Sequence, residues 1–163
     1  MIINKLKRRL KHSPDYKFRE IKIYNKKIHY VFNEVLTDSK VINEVILKYF
    51  YKMKRSDFNN IRNFIPNCNS EIIKFNQIVN YLNKGYLIVY YKKIYAFLVN
   101  SNLDRGVNLL NSELSIGGSK DSFNENIRIN LGLIRKRIKS NLVSLNYEIG
   151  KISKTSINLL YID

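Results

Sequence analysis

The chain has 163 residues, enough for one domain with its own core and too few for two of ordinary size. Hydrophobic residues make up 45%, which excludes a disordered chain, and 2 Pro with 6 Gly exclude long flexible linkers. One Cys excludes a disulfide framework and a Cys-based zinc site, and 29 Lys and Arg against 13 Asp and Glu give a net charge of +16.

Residues 1–60 carry 15 basic and 6 acidic groups, with the densest point at Lys5, Lys7, Arg8, Arg9 and Lys11. Such a charge fits a polyanionic partner, a nucleic acid or an anionic membrane surface. It also fits plain composition bias, since the chain holds 20 Lys, 23 Ile and 22 Asn, the residues of AT-rich codons. No apolar run follows the basic N-terminus, so a secretory signal is absent from this sequence. The most apolar stretch, 86–99, is interrupted by Lys92 and Lys93 and falls short of the roughly 20 apolar residues a bilayer span needs. The chain as given is therefore expected to be soluble, in a reducing compartment.

Residues 1–12 read as a basic arm or short helix, and Ser13-Pro14-Asp15 punctuates the chain. Phe18, Ile21 and Ile23, then Ile28, Tyr30 and Phe32, alternate as two strands around a turn at 25–27, with Asn25 in a left-handed conformation. A helix is predicted over 38–54, because Ile42, Val45, Ile46, Tyr49, Phe50 and Met53 fall on one stripe. Thr37 or Asp38 caps its start. A weaker helical stretch at 58–64 stops at Pro66, and a third helix at 74–83 ends at Gly85. Residues 86–91 and 94–99 read as buried strands around Lys92-Lys93. An irregular section follows over 100–121. Ser122 and Glu125 then form a capping box for a helix whose buried stripe is Phe123, Ile127, Leu131, Ile134 and Ile138. Two last strands, 142–149 and 156–162, flank Gly150. Hairpins alternating with helices predict a single α/β domain, with a mixed β-sheet and helices packed on it.

No catalytic constellation emerges. Neither His12 nor His29 has a Ser, Cys or carboxylate at a recognisable spacing, so both read as ordinary surface or strand residues. Cys68 reads as a small buried hydrophobe. Gly117-Gly118-Ser119-Lys120 precedes a capped helix but lacks the spacing of a phosphate loop. The 12 Tyr sit in strand and helix phase, which favours packing over base stacking.

The last third carries the most specific pattern. It runs Glu113, Gly118, Asp121, Phe123, Glu125, then Asn130-Leu131-Gly132-Leu133-Ile134-Arg135-Lys136-Arg137-Ile138, Gly150, Ser153-Lys154-Thr155 and Leu160-Tyr161-Ile162. This resembles the N-terminal soluble region of the A subunits of spore germinant receptors, the GerA family. Asp15 and Arg19 before the first strand, Leu36 with Asp38, Leu82 to Gly85, and Arg105 fit the same resemblance. Gly117-Gly118 stands where the family has Arg-Gly, Ser122-Phe123 where it has Gly-Phe, and Leu110-Asn111 where it has Glu-Pro.

The resemblance implies a receptor role without catalysis or cofactor. It implies an assembly and signal-coupling domain that works with B and C subunits in the spore inner membrane, on the cytoplasmic (core) side, to trigger germination in response to nutrients. The expected organisation is a basic arm at 1–12 and a first N-terminal subdomain at 13–163, with the remainder of the A subunit as a further partner. Weak contact of the arm with anionic membrane is compatible with this, and specific nucleic acid is not expected; a small basic nucleic-acid-binding module is the alternative. Candidate structural or interface residues are Arg105, Glu113, Phe123, Asn130, Arg135 and Arg137. On the last helix, Asn130 and at least one of Arg135 and Arg137 are expected to bind backbone carbonyls or a carboxylate, with Glu113 and Glu148 as candidates. An apolar surface is expected around Leu159, Leu160, Tyr161 and Ile162.

Overall fold

The computed structural model describes residues 2–59, 61, 65, 69–99, 123, 125–138 and 142–162. Strand β1 (Tyr16–Ile23) pairs antiparallel with β2 (Lys26–Asn33), from Tyr16 opposite Asn33 to Ile23 opposite Lys26. That register leaves a two-residue loop, Tyr24-Asn25, with φ of 47° and 62°. Both residues are left-handed, as a twist-matched hairpin turn requires. Asn25 takes the expected conformation, but the turn lies one residue earlier than predicted. Lys26 belongs to the strand, its ammonium 4.2 Å from the Phe58 ring centre.

Strands β3 (Ser70–Ile72), β4 (Tyr86–Tyr91) and β5 (Lys93–Leu98) complete a five-stranded sheet of order β1-β2-β4-β5-β3. Each described pair is antiparallel. The α/β character thus comes from helices layered on antiparallel strands. The short edge strand β3 is too brief to announce itself by alternation.

Both faces of this sheet are covered, which explains the unbroken apolar runs of β4 and β5. Leu87, Val89, Tyr95 and Phe97 face one core; Ile88, Ile94 and Ala96 face the other. A helix wound wide as a π-helix over Val41–Leu47 continues as an α-helix, α2 (Lys48–Lys52), over the first core. Its Ile42, Ile46, Phe50 and Met53 are buried, as the predicted stripe requires. Asp38 holds its entry, accepting from Lys40 N at 2.8 Å. Over the second core lie α1 (Ile2–Arg9), through Leu6 and then Leu10, and α3 (Ile78–Leu82), through Ile78, Val79 and Leu82. A 3-10 turn, Phe75–Gln77, leads into α3, and Gly85 follows its end with φ of 80°. A further 3-10 turn spans Asp57–Asn59. Beyond it only Ile61 and Ile65 of the expected 58–64 helix and its surroundings are described, both buried.

Helix α4 (Ile127–Arg137) leads to a separate two-stranded sheet, β6 (Leu142–Ile149) with β7 (Thr155–Ile162). The expected cap is corrected: α4 begins after Asn126, whose Oδ1 accepts from Arg128 N at 3.0 Å. Ser122 lies outside the described residues. The expected stripe is corrected too. Phe123 is 65% exposed and Ile127 and Ile138 are exposed, while Leu131, Gly132, Leu133 and Arg135 are buried. Burial follows position along the helix: it is concentrated in the stretch from Leu131 to Arg135, and both ends are exposed.

Lys92 bridges β4 and β5 with φ of 57°, a conformation that costs an L-residue about 1–2 kcal/mol. Replacing it by Gly removes the Cβ clash at some cost in unfolded-state entropy. Lys92→Gly is expected to raise the unfolding free energy by about 0.5–1 kcal/mol in urea denaturation. A fall would show that the Lys92 side chain over the Tyr91 ring outweighs the backbone strain.

Candidate functional site

Eight polar or charged residues are buried among those described, and seven of them, all but Ser70, join one network. At its centre Arg135 of α4 is 1% exposed. Its Nε lies 2.6 Å from Asp15 Oδ2 and its Nη2 donates to Asp15 Oδ1 at 3.0 Å. The guanidinium thus meets both carboxylate oxygens, one through a charge-assisted hydrogen bond and one through a close ionic contact in which the Nε–H is not aligned as a hydrogen bond. Nη1 donates to the Leu142 carbonyl at 2.9 Å, at the start of β6. The guanidinium also lies 5.2 Å from the Tyr16 ring centre.

Asp15 is held from its other side by Asn33, whose Nδ2 donates to Oδ2 at 2.8 Å. Asn33 Oδ1 accepts from Val35 N, and its carbonyl accepts from Thr37 Oγ1 at 2.7 Å, so the exit from β2 is fixed as well. Tyr16 donates its hydroxyl proton to Asn83 Oδ1 after α3. Burial pushes that hydroxyl above its ordinary value of 10.0, with the Arg135 charge drawing it partly back. It is therefore a neutral donor at physiological pH. Ser144 N of β6 donates to Ser13 Oγ at 3.3 Å. The corner thus ties together the start of β1, the end of β2, α3, α4 and β6.

Beside it lies a cleft of about 450 Å³ between this corner, α4 and the inner side of the β6–β7 hairpin. Lys17, Glu34, Arg128, Asn146, Glu148 and Asn158 are among its lining residues. Glu34 meets Lys17 at 3.5 Å and Arg128 at 3.4 Å. Asn158 Oδ1 is buried without a hydrogen-bond partner among the described residues. This lining offers ion pairing and hydrogen bonding. No group of His, Cys, Asp or Glu fit for a metal occurs among the described residues.

Of the residues singled out from sequence, Arg135 alone is seen to reach the corner. Asn130 is half-buried on α4, Arg137 is exposed, and Phe123 is exposed before the helix. Arg105 and Glu113 lie outside the described residues, as do Cys68 and Gly117-Gly118-Ser119-Lys120. The carboxylate that meets Arg135 is Asp15, 120 positions away, rather than Glu148, which is exposed beside the cleft. Sequence reasoning named Ser13 only as punctuation and Asp15 only there and in the family resemblance, and did not single out Asn33 or Asn83. The one local signal was a carboxylate set directly before a strand with a buried first residue, Tyr16.

Breaking a buried pair leaves a bare charge in a dry site and costs about 3–5 kcal/mol. Arg135→Ala and Asp15→Ala are each expected to lower the unfolding free energy by about that amount, measured by urea denaturation. The double variant should lose much less than the sum of the two, because the residues share one interaction. Arg135→Lys should not restore stability, since one ammonium cannot grip both carboxylate oxygens and the Leu142 carbonyl. Simple additivity of the two losses would contradict a shared pair.

Residues 4–163 match the family model described as Bacillus/Clostridium GerA spore germination protein. Spore germination protein GerQA of Bacillus cereus is 25% identical over 160 residues, covering 94% of this chain and 32% of that protein. Spore germination protein XA of Bacillus anthracis is 39% identical over 75 residues, 44% of this chain and 15% of that protein. The uncharacterized membrane protein YfkQ of Bacillus subtilis is 40% identical over 53 residues, 32% of this chain and 10% of its own. The chain thus spans about a third or less of the length of these curated relatives. No solved structure matches. With the family model covering the domain from α1 to the last strand, the chain belongs to the GerA family of spore germination proteins.

Proposed function

We propose that this chain is a non-catalytic assembly and signal-coupling module of a nutrient-responsive germination receptor. It works with B and C subunits and with the remainder of an A subunit, on the core side of the spore inner membrane. The observation that carries this reading is the buried Asp15–Arg135 junction. The β6–β7 hairpin is fastened to the five-stranded sheet through Arg135, Leu142 and Ser144, so a displacement of one part loads the other. Membership of the family supports the germination role, and the name of the YfkQ relative supports a membrane setting.

The basic arm suits that setting. In α1 the apolar residues Ile3 and Leu6 are buried while Lys5, Arg8, Arg9 and then Lys11 are exposed. No carboxylate occurs before Asp15. Each basic residue at an anionic lipid surface contributes about 1 kcal/mol. Replacing Lys5, Arg8, Arg9 and Lys11 by Gln should therefore weaken binding to phosphatidylglycerol vesicles by on the order of a thousandfold. The same number of changes at Lys52, Lys54, Lys92 and Lys93 should weaken it far less. Equal losses would mean that the arm is not a contact face.

The receptor role itself is tested in spores. Deleting the gene should abolish the fall in optical density that follows at least one nutrient, and the intact gene should restore it. Unchanged responses to every nutrient that triggers the parent would end this reading.

A further inference from the structure

Three stretches of the chain meet at the end of the sheet away from the Asp15 corner. They are 22–27 around the first hairpin turn, 51–56 at the end of α2, and 90–93 around the Lys92 turn. Contacts between cations and rings join them. The Arg55 guanidinium lies 5.8 Å from the Tyr24 ring centre, and the Lys26 ammonium lies 4.2 Å from that of Phe58 and 5.9 Å from that of Tyr91. Together the three stretches hold eight Lys or Arg and no Asp or Glu. Among the described residues only Lys27 of the eight meets a carboxylate, Glu20 at 3.6 Å.

Two features set this surface apart from a merely solvated one. Lys22 stands directly opposite Lys27 in the β1–β2 register, and the pairing of His29 with Tyr90 continues to set Lys27 beside Lys92. Neighbouring strands lie about 4.8 Å apart, and like charges directly opposite destabilise a sheet. Glu20 alone offsets this row among the described residues; an anion laid along it would offset the rest. The second feature is a pair of uncovered rings. Tyr24 is 52% exposed and Tyr51 63%, while Ile23, Met53, Tyr90 and Tyr91 of the same stretches are buried or half-buried. Arg55 attends Tyr24. Burial raises the Tyr30 hydroxyl above its ordinary value, and the Arg19 charge and Tyr51 also bear on it, which puts a second guanidinium near the Tyr51 ring.

We infer that this end of the sheet is a contact surface for single-stranded nucleic acid, held without sequence readout. Phosphates lie on the lysine row and bases stack on Tyr24 and Tyr51, since every base offers a π-face. A bilayer is disfavoured because lipid-docking faces set Leu, Phe or Trp beside their cations, and none of these is exposed in the three stretches. An acidic polypeptide is disfavoured because seven of the eight cations are lysines, without the fork that matches a carboxylate. Point charges suit successive phosphates met at varied angles. None of these observations depends on the receptor reading.

The probe is a fluorescein-labelled oligouridylate of about 16 nucleotides, titrated with the 163-residue chain at several salt concentrations and read by anisotropy. Replacing Lys22, Lys27, Lys92 and Lys93 by Gln should flatten the slope of log affinity against log salt by about 3, since each single-strand phosphate contact contributes roughly 0.7. Tyr24→Ala and Tyr51→Ala should each weaken binding about fivefold or more and leave that slope unchanged. Tyr24→Phe and Tyr51→Phe keep the ring and should bind and melt like the parent. The two Ala variants should bind phosphatidylglycerol vesicles as the parent does. The proposal is overturned if the oligonucleotide does not bind at physiological salt, or if the Ala variants bind it like the parent. It is overturned equally if polyglutamate of the same charge displaces the oligonucleotide, or if duplex binds as tightly. A loss of vesicle binding in the Ala variants would assign the surface to lipid instead.

Discussion

A guanidinium and a carboxylate, both out of contact with water, hold this domain's corner together. Burying either alone would cost several kcal/mol, and even a pair recovers the loss only when every remaining donor and acceptor is satisfied. Here most of that demand is met, although Arg135 Nε makes only an ionic contact and Ser144 Oγ has no hydrogen-bond partner among the described residues. Asp15 accepts from Arg135 and Asn33, and Arg135 adds the Leu142 carbonyl and the face of Tyr16. An apolar pair of similar volume could pack as well. It could not fix five elements at set angles, because hydrophobic contact is not directional.

The rest of the architecture follows from that geometry. Asp15 stands where β1 begins and Asn33 where β2 ends, so the pair locks the open end of the first hairpin. Arg135 is fixed on the last turn of α4, which brings Leu131 against Val35 and Leu36 and leaves Ile127 outside. The Leu142 carbonyl then fixes where β6 departs. Leu160 of β7 completes the small apolar cluster at the same junction. The cleft is what remains between two parts that touch chiefly at their shared corner. Its paired charges at Glu34, Lys17 and Arg128 stay partly hydrated, unlike those of the corner.

The elements whose signal is local were legible in the sequence. The strands around residues 25 and 92, the stripe of Ile42, Ile46, Phe50 and Met53, and the Gly85 stop all rest on spacing within a few residues. Three features were not. The Asp15–Arg135 contact joins residues 120 apart, and no periodicity encodes it. Arg135 stood out as a cation at the edge of an apolar stripe, with backbone carbonyls or the carboxylates of Glu113 and Glu148 as expected partners; the Leu142 carbonyl is of the first kind, while the carboxylate it meets is Asp15. The burial of α4 was misread for a related reason. A stripe predicts which side of a helix is apolar, but tertiary contacts decide how much of its length is covered. The edge strand β3 has three residues, too few for alternation to be read.

The β6–β7 hairpin shows where charge and apolar surface part company in this chain. Over residues 142–162 there are two lysines and one glutamate, while residues 1–60 carry 15 basic and 6 acidic groups. A charged surface and an apolar one do not suit the same partner. The first attracts anions over about a Debye length and weakens with salt. The second acts only at contact, through area removed from water, and salt does not screen it. The domain therefore presents two surfaces with different physics, joined by one rigid corner. Lowering the salt should strengthen anionic contacts of α1 and leave contacts made through the exposed apolar side chains of β6–β7 nearly unchanged.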